Sequence, residues 1–181
     1  MLELQSDRAY WIAAAVMLVI DVVFLAALAR RLPPSRLVVL RRMILLTSCA
    51  VWLVLHGAAF WGDAWGTAYG LVLPPAARWV MPLILTALYT IVTYLLLEWV
   101  PRLPGPPAVW FAVLGAGVQS IESVWELFGL DMLRVVPALQ KVSAAAALSY
   151  GLVESVLLWA MILALAPLVR LALQSLLERL R

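Results

Sequence analysis

The chain has very few residues of the kinds that most redox, metal and covalent sites require. Its 181 residues include one cysteine, Cys49, one histidine, His56, and one lysine, Lys141. A single cysteine excludes an internal disulfide and a thiolate-ligated metal cluster. A single histidine excludes a haem held by two histidines, and a lysine at the end of a span does not suit a retinal-type Schiff base. We therefore expect no resident cofactor.

Charged residues are scarce as well. They make up 13% of the chain, hydrophobic residues make up 66%, and the mean hydropathy is +1.02. Soluble proteins carry about 25% charged residues. The net charge of +3 is small, and the basic residues cluster at the ends of apolar runs, which argues against nucleic-acid binding. The sequence also lacks a Walker loop, a dinucleotide fingerprint, a Gly-x-Ser-x-Gly elbow and a His-Glu-x-x-His motif.

What the chain does have is long apolar runs. They predict an all-α integral membrane protein, in which residues 1–181 form a single polytopic bundle of five transmembrane helices. Because a chain in lipid must satisfy its own backbone hydrogen bonds, runs of about 20 apolar residues are helices. The predicted spans are residues 10–29, 43–61, 79–100, 108–130 and 142–166. Whether residues 62–77 contain a re-entrant segment is left open by the sequence.

The basic residues predict the orientation of the bundle. Arginines concentrate in the joint between the first two spans, in the joint after the third span and in the C-terminal tail, namely Arg30, Arg31, Arg36, Arg41, Arg42, Arg102, Arg170, Arg179 and Arg181. The positive-inside rule then puts the N-terminus outside and the C-terminus in the cytoplasm, in the cytoplasmic (inner) membrane of a bacterium. Aromatic belts are expected at Trp11, Trp61, Trp65 and Trp79 outside and at Trp99 and Trp110 inside.

The tail, residues 168–181, has a different pattern. Its apolar residues fall on one helical face, and its polar residues fall on another. The apolar face comprises Val169, Ala172, Leu173, Leu176, Leu177 and Leu180. This pattern predicts an amphipathic helix that lies on the cytoplasmic membrane surface.

The most informative feature is a set of ionisable residues inside the predicted spans. The set comprises Asp21, His56, Glu122, Glu126 and Glu154. Charges in hydrocarbon are costly, so such residues usually face the bundle interior and mark a functional site. Glu122 and Glu126 share one helical stripe with Gln119 and Ser123. We expect all five ionisable residues to line one cavity that opens outward, with His56 nearest its mouth and Asp21 at its floor, and we take them as candidate catalytic residues.

Polar and aromatic residues on the same spans are candidates for substrate binding. A polar stripe on the third span should face the acids, because polar groups that face lipid have no partner. Deep tryptophans can stabilise a cation through the ring face, although core packing is their more common role. The candidates are Trp52, Tyr89, Thr90, Gln119, Trp125, Tyr150 and Trp159.

These residues predict acid–base chemistry in the membrane. Apolar surroundings favour the neutral form of a carboxylic acid, and neighbouring carboxyls reinforce that preference, so Glu122 or Glu154 should hold a proton at neutral pH. A proton donor in a dry pocket suits isomerisation or cyclisation of a lipophilic, isoprenoid-like molecule, with His56 or Asp21 as the base and Tyr89 as a helper. A metal is not expected, because helical-bundle sites use Glu-x-x-His motifs that this chain lacks.

The layout of these residues is similar to that of a known family. Arg41 and Arg42 lead into a span that bears His56, and a later span bears acids. This plan resembles the emopamil-binding, sterol-isomerase group, which implies protonation of a carbon–carbon double bond by buried acidic and histidine side chains. Phe60 stands where that group has an acid. Five spans and many tryptophans also resemble the translocator-protein family, whose Trp-Asn motif is missing. Neither resemblance assigns the chain to a family.

Two other functions remain open from the sequence. Carboxyls within spans also suit a transporter or binding component for a proton, a metal ion or a cationic solute. The amphipathic tail and the small-residue face at residues 144–147 with Gly151 suit a non-catalytic subunit of a larger membrane complex. Membrane lipids are expected partners in every case, and a homo-oligomer or a partner membrane subunit stays open.

Overall fold

A computed structural model describes residues 7–62, 74–137 and 139–179 of the chain. This part is helical and contains no strand. Six helices follow one another: α1 (Asp7–Arg31), α2 (Pro34–His56), α3 (Pro75–Trp99), α4 (Pro107–Val124), the short α5 (Met132–Val135) and α6 (Ala144–Arg179). All except α5 belong to segments that are long and apolar enough to cross a membrane, which gives five candidate spans within the described residues. The described part of the chain thus has the helical architecture of a polytopic membrane protein. The proposed re-entrant segment lies mostly outside the described residues, as do Asp63 and Trp65.

Proline determines where three of the long helices begin. Pro34, Pro75 and Pro107 each occupy the first turn of a helix, where a missing N–H group costs nothing. Consequently α2 begins at Pro34 rather than at Met43, and its first turns carry Arg36, Arg41 and Arg42. The helix thus begins before the predicted span of residues 43–61, and where it enters the membrane stays a prediction.

Two helices end in a wider π-helical turn. Gly57–Trp61 extends α2, and Trp125–Gly129 extends α4. The residue that follows each turn donates a backbone hydrogen bond to the first residue of the turn, five positions earlier. The N–H of Gly62 donates to the carbonyl of Gly57, and the N–H of Leu130 donates to the carbonyl of Trp125. Such turns often occur at functional sites. Both of them lie at the end of the bundle where α1 begins, which we call the N-terminal end.

The helix α6 is the central element of the bundle, since it packs against α1, α2 and α4. Its contact with α4 is close because α4 presents small residues to it. Ala108, Ala112 and Ala116 repeat every fourth residue and are fully buried, and Gly115 lies directly against the Trp159 ring of α6. Lipid supplies no hydrophobic force between helices, so such small-residue faces are what allows close van der Waals contact. The outer surface of the bundle is apolar.

The tail is not a separate helix. The helix α6 continues through Pro167 to Arg179, over 36 residues. At about 1.5 Å per residue it is roughly 54 Å long, which exceeds a hydrocarbon core of about 30 Å. Every side chain from residue 171 to residue 179 is exposed. The interfacial position of this tail stays a prediction.

Candidate functional site

The acids of α4 lie in two adjoining environments. The first is a buried aromatic and polar cluster between α2, α3, α4 and α6. The second is a cavity between α1, α4 and α6 at the N-terminal end. Glu122 belongs to the first, and Glu126 and Glu154 belong to the second. Glu122 and Glu126 nevertheless interact electrostatically, since one helical turn separates them.

Glu122 is held by side chains from two other helices. The Tyr89 hydroxyl of α3 donates a hydrogen bond to Glu122 Oε2. His56, the last residue of α2, has its Nε2 atom 4.0 Å from Glu122 Oε1, which is beyond hydrogen-bond reach. The Nδ1 atom of His56 is buried and has no hydrogen-bond partner among the described residues. Tyr89, on the polar stripe of the third span, is therefore the hydrogen-bond partner of Glu122. The sequence predicts such a contact, because polar stripes on neighbouring spans should face one another.

Aromatic rings pack around Tyr89 and His56. Trp52 stacks on Tyr89 with ring centroids 4.3 Å apart and on His56 at 5.5 Å, and Trp159 tilts against Trp52 at 5.4 Å. Trp52 and Trp159 are almost completely buried, at 1% and 0% exposure. Both tryptophans therefore pack in the core and are not among the residues that line the cavity, which limits their role to shaping the cluster around Glu122.

The rest of the polar stripe is used within the bundle. Thr93 pairs with Ser48 of α2 at 2.7 Å, and it also donates to the carbonyl of Tyr89. Thr90, a candidate for substrate binding, donates to the carbonyl of Thr86 in its own helix and does not line the cavity. The Ser48–Thr93 bond joins α2 to α3, whereas the other two bonds lie within α3 and satisfy its hydroxyl groups.

The cavity has a volume of about 500 Å³. Its wall is mainly apolar, and its polar side chains come from α1, α4 and α6. The polar lining residues are Tyr10, Gln119, Ser123, Glu126, Tyr150, Glu154 and Ser155. Glu154 is exposed and lies at the rim, whereas Ser155 beside it is buried. Met132 and Leu139 close the cavity at the N-terminal end, where an apolar cluster around α5 packs. The dimensions suit a small lipophilic molecule.

Gln119 connects the two environments. It lines the cavity, and its Oε1 atom accepts a 3.1 Å hydrogen bond from Trp159 Nε1 in the aromatic cluster. Tyr150, another predicted binding residue, lines the cavity and packs edge-on against Tyr10 with centroids 5.5 Å apart. Gln119 and Tyr150 therefore lie where a cavity ligand would contact them.

The expected single chamber containing all five ionisable residues does not form. Glu126 and Glu154 line the cavity, but Glu122, His56 and Asp21 do not. The carboxyl of Asp21 is buried, and it has no hydrogen-bond partner within the described part of the chain. Trp125 is 47% exposed on the outer surface and contributes to neither environment. Along α4 the face that lines the cavity runs through Gln119, Ser123 and Glu126, and Glu122 lies to one side of it, where its carboxyl meets Tyr89.

Sequence reasoning missed several lining residues. Tyr10, Met17, Leu55, Met132 and Met161 line the cavity but carry no charge that singles them out. Helical spacing would have found Met161, which follows Glu154 by seven residues and so lies on the same face. No group of three or more histidine, cysteine, aspartate or glutamate side chains arranged for a metal occurs among the described residues. No family model, curated protein or solved structure matches this chain.

Proposed function

We propose that this protein is an intramembrane acid–base enzyme that isomerises or cyclises a lipophilic, isoprenoid-like substrate. The observation that carries the proposal is the cavity of about 500 Å³, which is lined by apolar side chains and two carboxyls, Glu126 and Glu154. An apolar pocket with a few convergent polar groups is the usual form of a small-molecule site. Carboxyls in such surroundings serve as proton donors and acceptors.

The proposed reaction is redox-neutral and requires two carboxyls with opposite roles. One carboxylic acid donates its proton to a carbon of the substrate's double bond, so a C–H bond forms and positive charge develops on the neighbouring carbon. The other carboxylate removes a proton from an adjacent carbon, and the electrons of that C–H bond form the new double bond. The substrate gains and loses one proton, so its composition is unchanged. Glu126 and Glu154, on different helices, are the candidates for these two roles.

Glu122 and Tyr89 have a supporting role in this proposal. Glu122 is one helical turn from Glu126, and its carboxyl accepts the Tyr89 hydrogen bond outside the cavity. A second acid next to Glu126 favours the state in which the two carboxyls share a proton rather than both being charged. We therefore assign Glu122 and Tyr89 as positioning residues that keep Glu126 ready to donate.

Deuterium transfer tests the proposal directly. The purified chain is reconstituted in vesicles containing geranylgeraniol, squalene or the neutral lipids of a bacterial membrane extract, and is incubated in D₂O. We expect deuterium in new C–H bonds by mass spectrometry, with incorporation reduced about 10²–10⁴-fold in Glu126→Gln and Glu154→Gln, as for loss of a general acid or base. Glu178→Gln, in the exposed tail, is the matched control and should be unaffected.

Two results of this experiment count against the enzyme. Incorporation that is undiminished in both glutamine variants shows that the cavity acids do not transfer the proton. Absence of deuterium in all three lipid pools with the wild-type chain shows that it does not protonate lipids of this class.

A second function, movement of a proton or a cationic solute, is favoured by one feature of the same cavity. Its described lining contains two carboxyls and no arginine or lysine. Proteoliposomes offered the lipophilic cation tetraphenylphosphonium distinguish the two functions. A transporter takes up the probe, and Glu126→Gln or Glu154→Gln abolishes uptake. The enzyme shows no uptake above that of protein-free vesicles.

A further inference from the structure

A second recess lies at the opposite end of the bundle from the acidic cavity. It consists of two adjoining spaces of about 460 and 330 Å³ between the α1–α2 joint and α6. Leu32, Arg36 and Pro167 line both spaces, so the two spaces adjoin at these residues. We call this the arginine groove, since Arg31, Arg36 and Arg170 all lie in its wall.

The groove has a polar part and an apolar part. Beside Arg36 and Arg170, the polar part contains Ser35 and Gln174. The apolar part is lined by Phe24, Ala27, Leu28, Leu163, Ala164 and Leu168, and Arg31 also lies in its wall. A molecule that fits both parts has an anionic head and an apolar chain.

Within the described chain, the basic charge in the groove has no neutralising partner. No carboxylate of the described chain lies within 4.0 Å of Arg31, Arg36 or Arg170, whereas Arg41 at the same end is paired with Glu98. The Arg36 guanidinium donates a 3.0 Å hydrogen bond to the carbonyl of Arg31, which fixes its position but leaves its charge. Three guanidinium groups in one recess form a site for an anion with several oxygen atoms, because each can donate two parallel hydrogen bonds.

We propose that the arginine groove binds an anionic phospholipid of the surrounding bilayer. Its phosphate is held by Arg31, Arg36 and Arg170, and an acyl chain lies along the apolar part toward Leu28 and Leu163. Basic pockets between transmembrane helices are known recognition sites for anionic lipid head groups. A bilayer lipid fits better than a soluble phosphate, because the wall continues into exposed apolar residues, Val39 and Leu171, which an acyl chain would cover.

Native mass spectrometry of the detergent-solubilised chain tests this proposal. The probes are phosphatidylglycerol and phosphatidylcholine with identical acyl chains. We expect phosphatidylglycerol to remain bound preferentially, and Arg31→Gln and Arg170→Gln each to weaken it about fivefold, as about 1 kcal/mol per basic residue implies. The matched control is Arg30→Gln, which removes the same charge from an exposed neighbour that does not line the groove.

Arg170→Lys is the control for the case in which Arg170→Gln loses binding because the variant fails to fold. It keeps the charge, so it should retain most of the binding while losing the paired hydrogen bonds. Equal binding of the two lipids overturns the proposal, as does an equal loss in Arg30→Gln. Displacement of phosphatidylglycerol by inorganic phosphate at matched concentration shows a soluble-anion site and also overturns it. None of these outcomes depends on the acidic cavity.

Discussion

Gly115 and Trp159 determine how closely α4 approaches the central helix. The indole ring of Trp159 lies so close to Gly115 that a Cβ atom at this position would overlap it. The same indole donates to Gln119, which lines the cavity. One small residue therefore sets the helix separation that brings a cavity residue within reach of the aromatic cluster.

Substitution of Gly115 tests this contact. We expect Gly115→Ala to destabilise the bundle by about 1–3 kcal/mol, because an added methyl group overpacks a filled space. Gly117→Ala is the matched control: no atom lies within 4 Å of its added Cβ, and an exposed helical glycine replaced by alanine gains about 0.5–1 kcal/mol. Thermal unfolding in mild detergent, followed by circular dichroism, measures both. Equal melting temperatures for the two variants would show that Trp159 can move aside freely.

Single residues were predictable where polarity singled them out. An acid within a span marks a site because placing its charge in hydrocarbon costs free energy. The predicted residues that do line the cavity are Glu126, Glu154, Gln119 and Tyr150. The positions of the polar residues in the sequence did not reveal which acid lies in the aromatic cluster and which lines the cavity. Glu122 differs from Glu126 by one turn, yet its carboxyl points to Tyr89 rather than into the cavity.

At the scale of helices, the π-helical turns are what sequence periodicity cannot show. In each turn a glycine packs against a tryptophan four residues away: Gly57 against Trp61, and Gly129 against Trp125. A Cβ atom on either glycine would crowd the indole ring. The first turn begins directly after His56, and the second contains Glu126. Glu126 nevertheless stays on the face of Gln119 and Ser123, since all three line the cavity.

The tail of α6 is the element whose environment is open to a direct test. If it lies along the membrane surface, oxygen should reach its apolar face more than its polar face. Spin labels on Leu173→Cys, Leu177→Cys, Gln174→Cys and Glu178→Cys, in a Cys49→Ala background, measure this by power saturation. We expect high oxygen accessibility at the two leucine positions and low accessibility at the two polar positions. A uniform value at all four positions would indicate a tail that projects into water.

Most of the arginines in the described chain lie at one end of the bundle and the acidic cavity lies at the other; Arg8, Arg78 and Arg134 are the arginines at the cavity end. Trp11, Trp61 and Trp79 are exposed around the cavity end, and Trp99 is exposed at the arginine end, in the arrangement of interfacial aromatic belts. If the charge bias sets the orientation, the arginine groove faces the cytoplasmic leaflet and the cavity faces outward.

Reporter fusions check this orientation in a bacterial host. A green fluorescent protein fused after Arg181 should fluoresce, and alkaline phosphatase fused at the same point should be inactive, because the positive-inside rule predicts a cytoplasmic C-terminus. A phosphatase fusion truncated after Leu130 places the enzyme at the other end and should be active. The reverse pattern in both fusions would invert the bundle and assign the groove to the outer leaflet.

The sequence by itself determined that this is a helical membrane protein with five spans, because lipid permits only chains whose backbone groups bond internally and whose surfaces are apolar. It also determined which residues are too polar to face lipid. Only the tertiary structure decided how these residues divide between a buried cluster and an open cavity. That division depends on the rotation of each helix about its axis, which the packing between helices sets, as at the small-residue contact of α4 with α6.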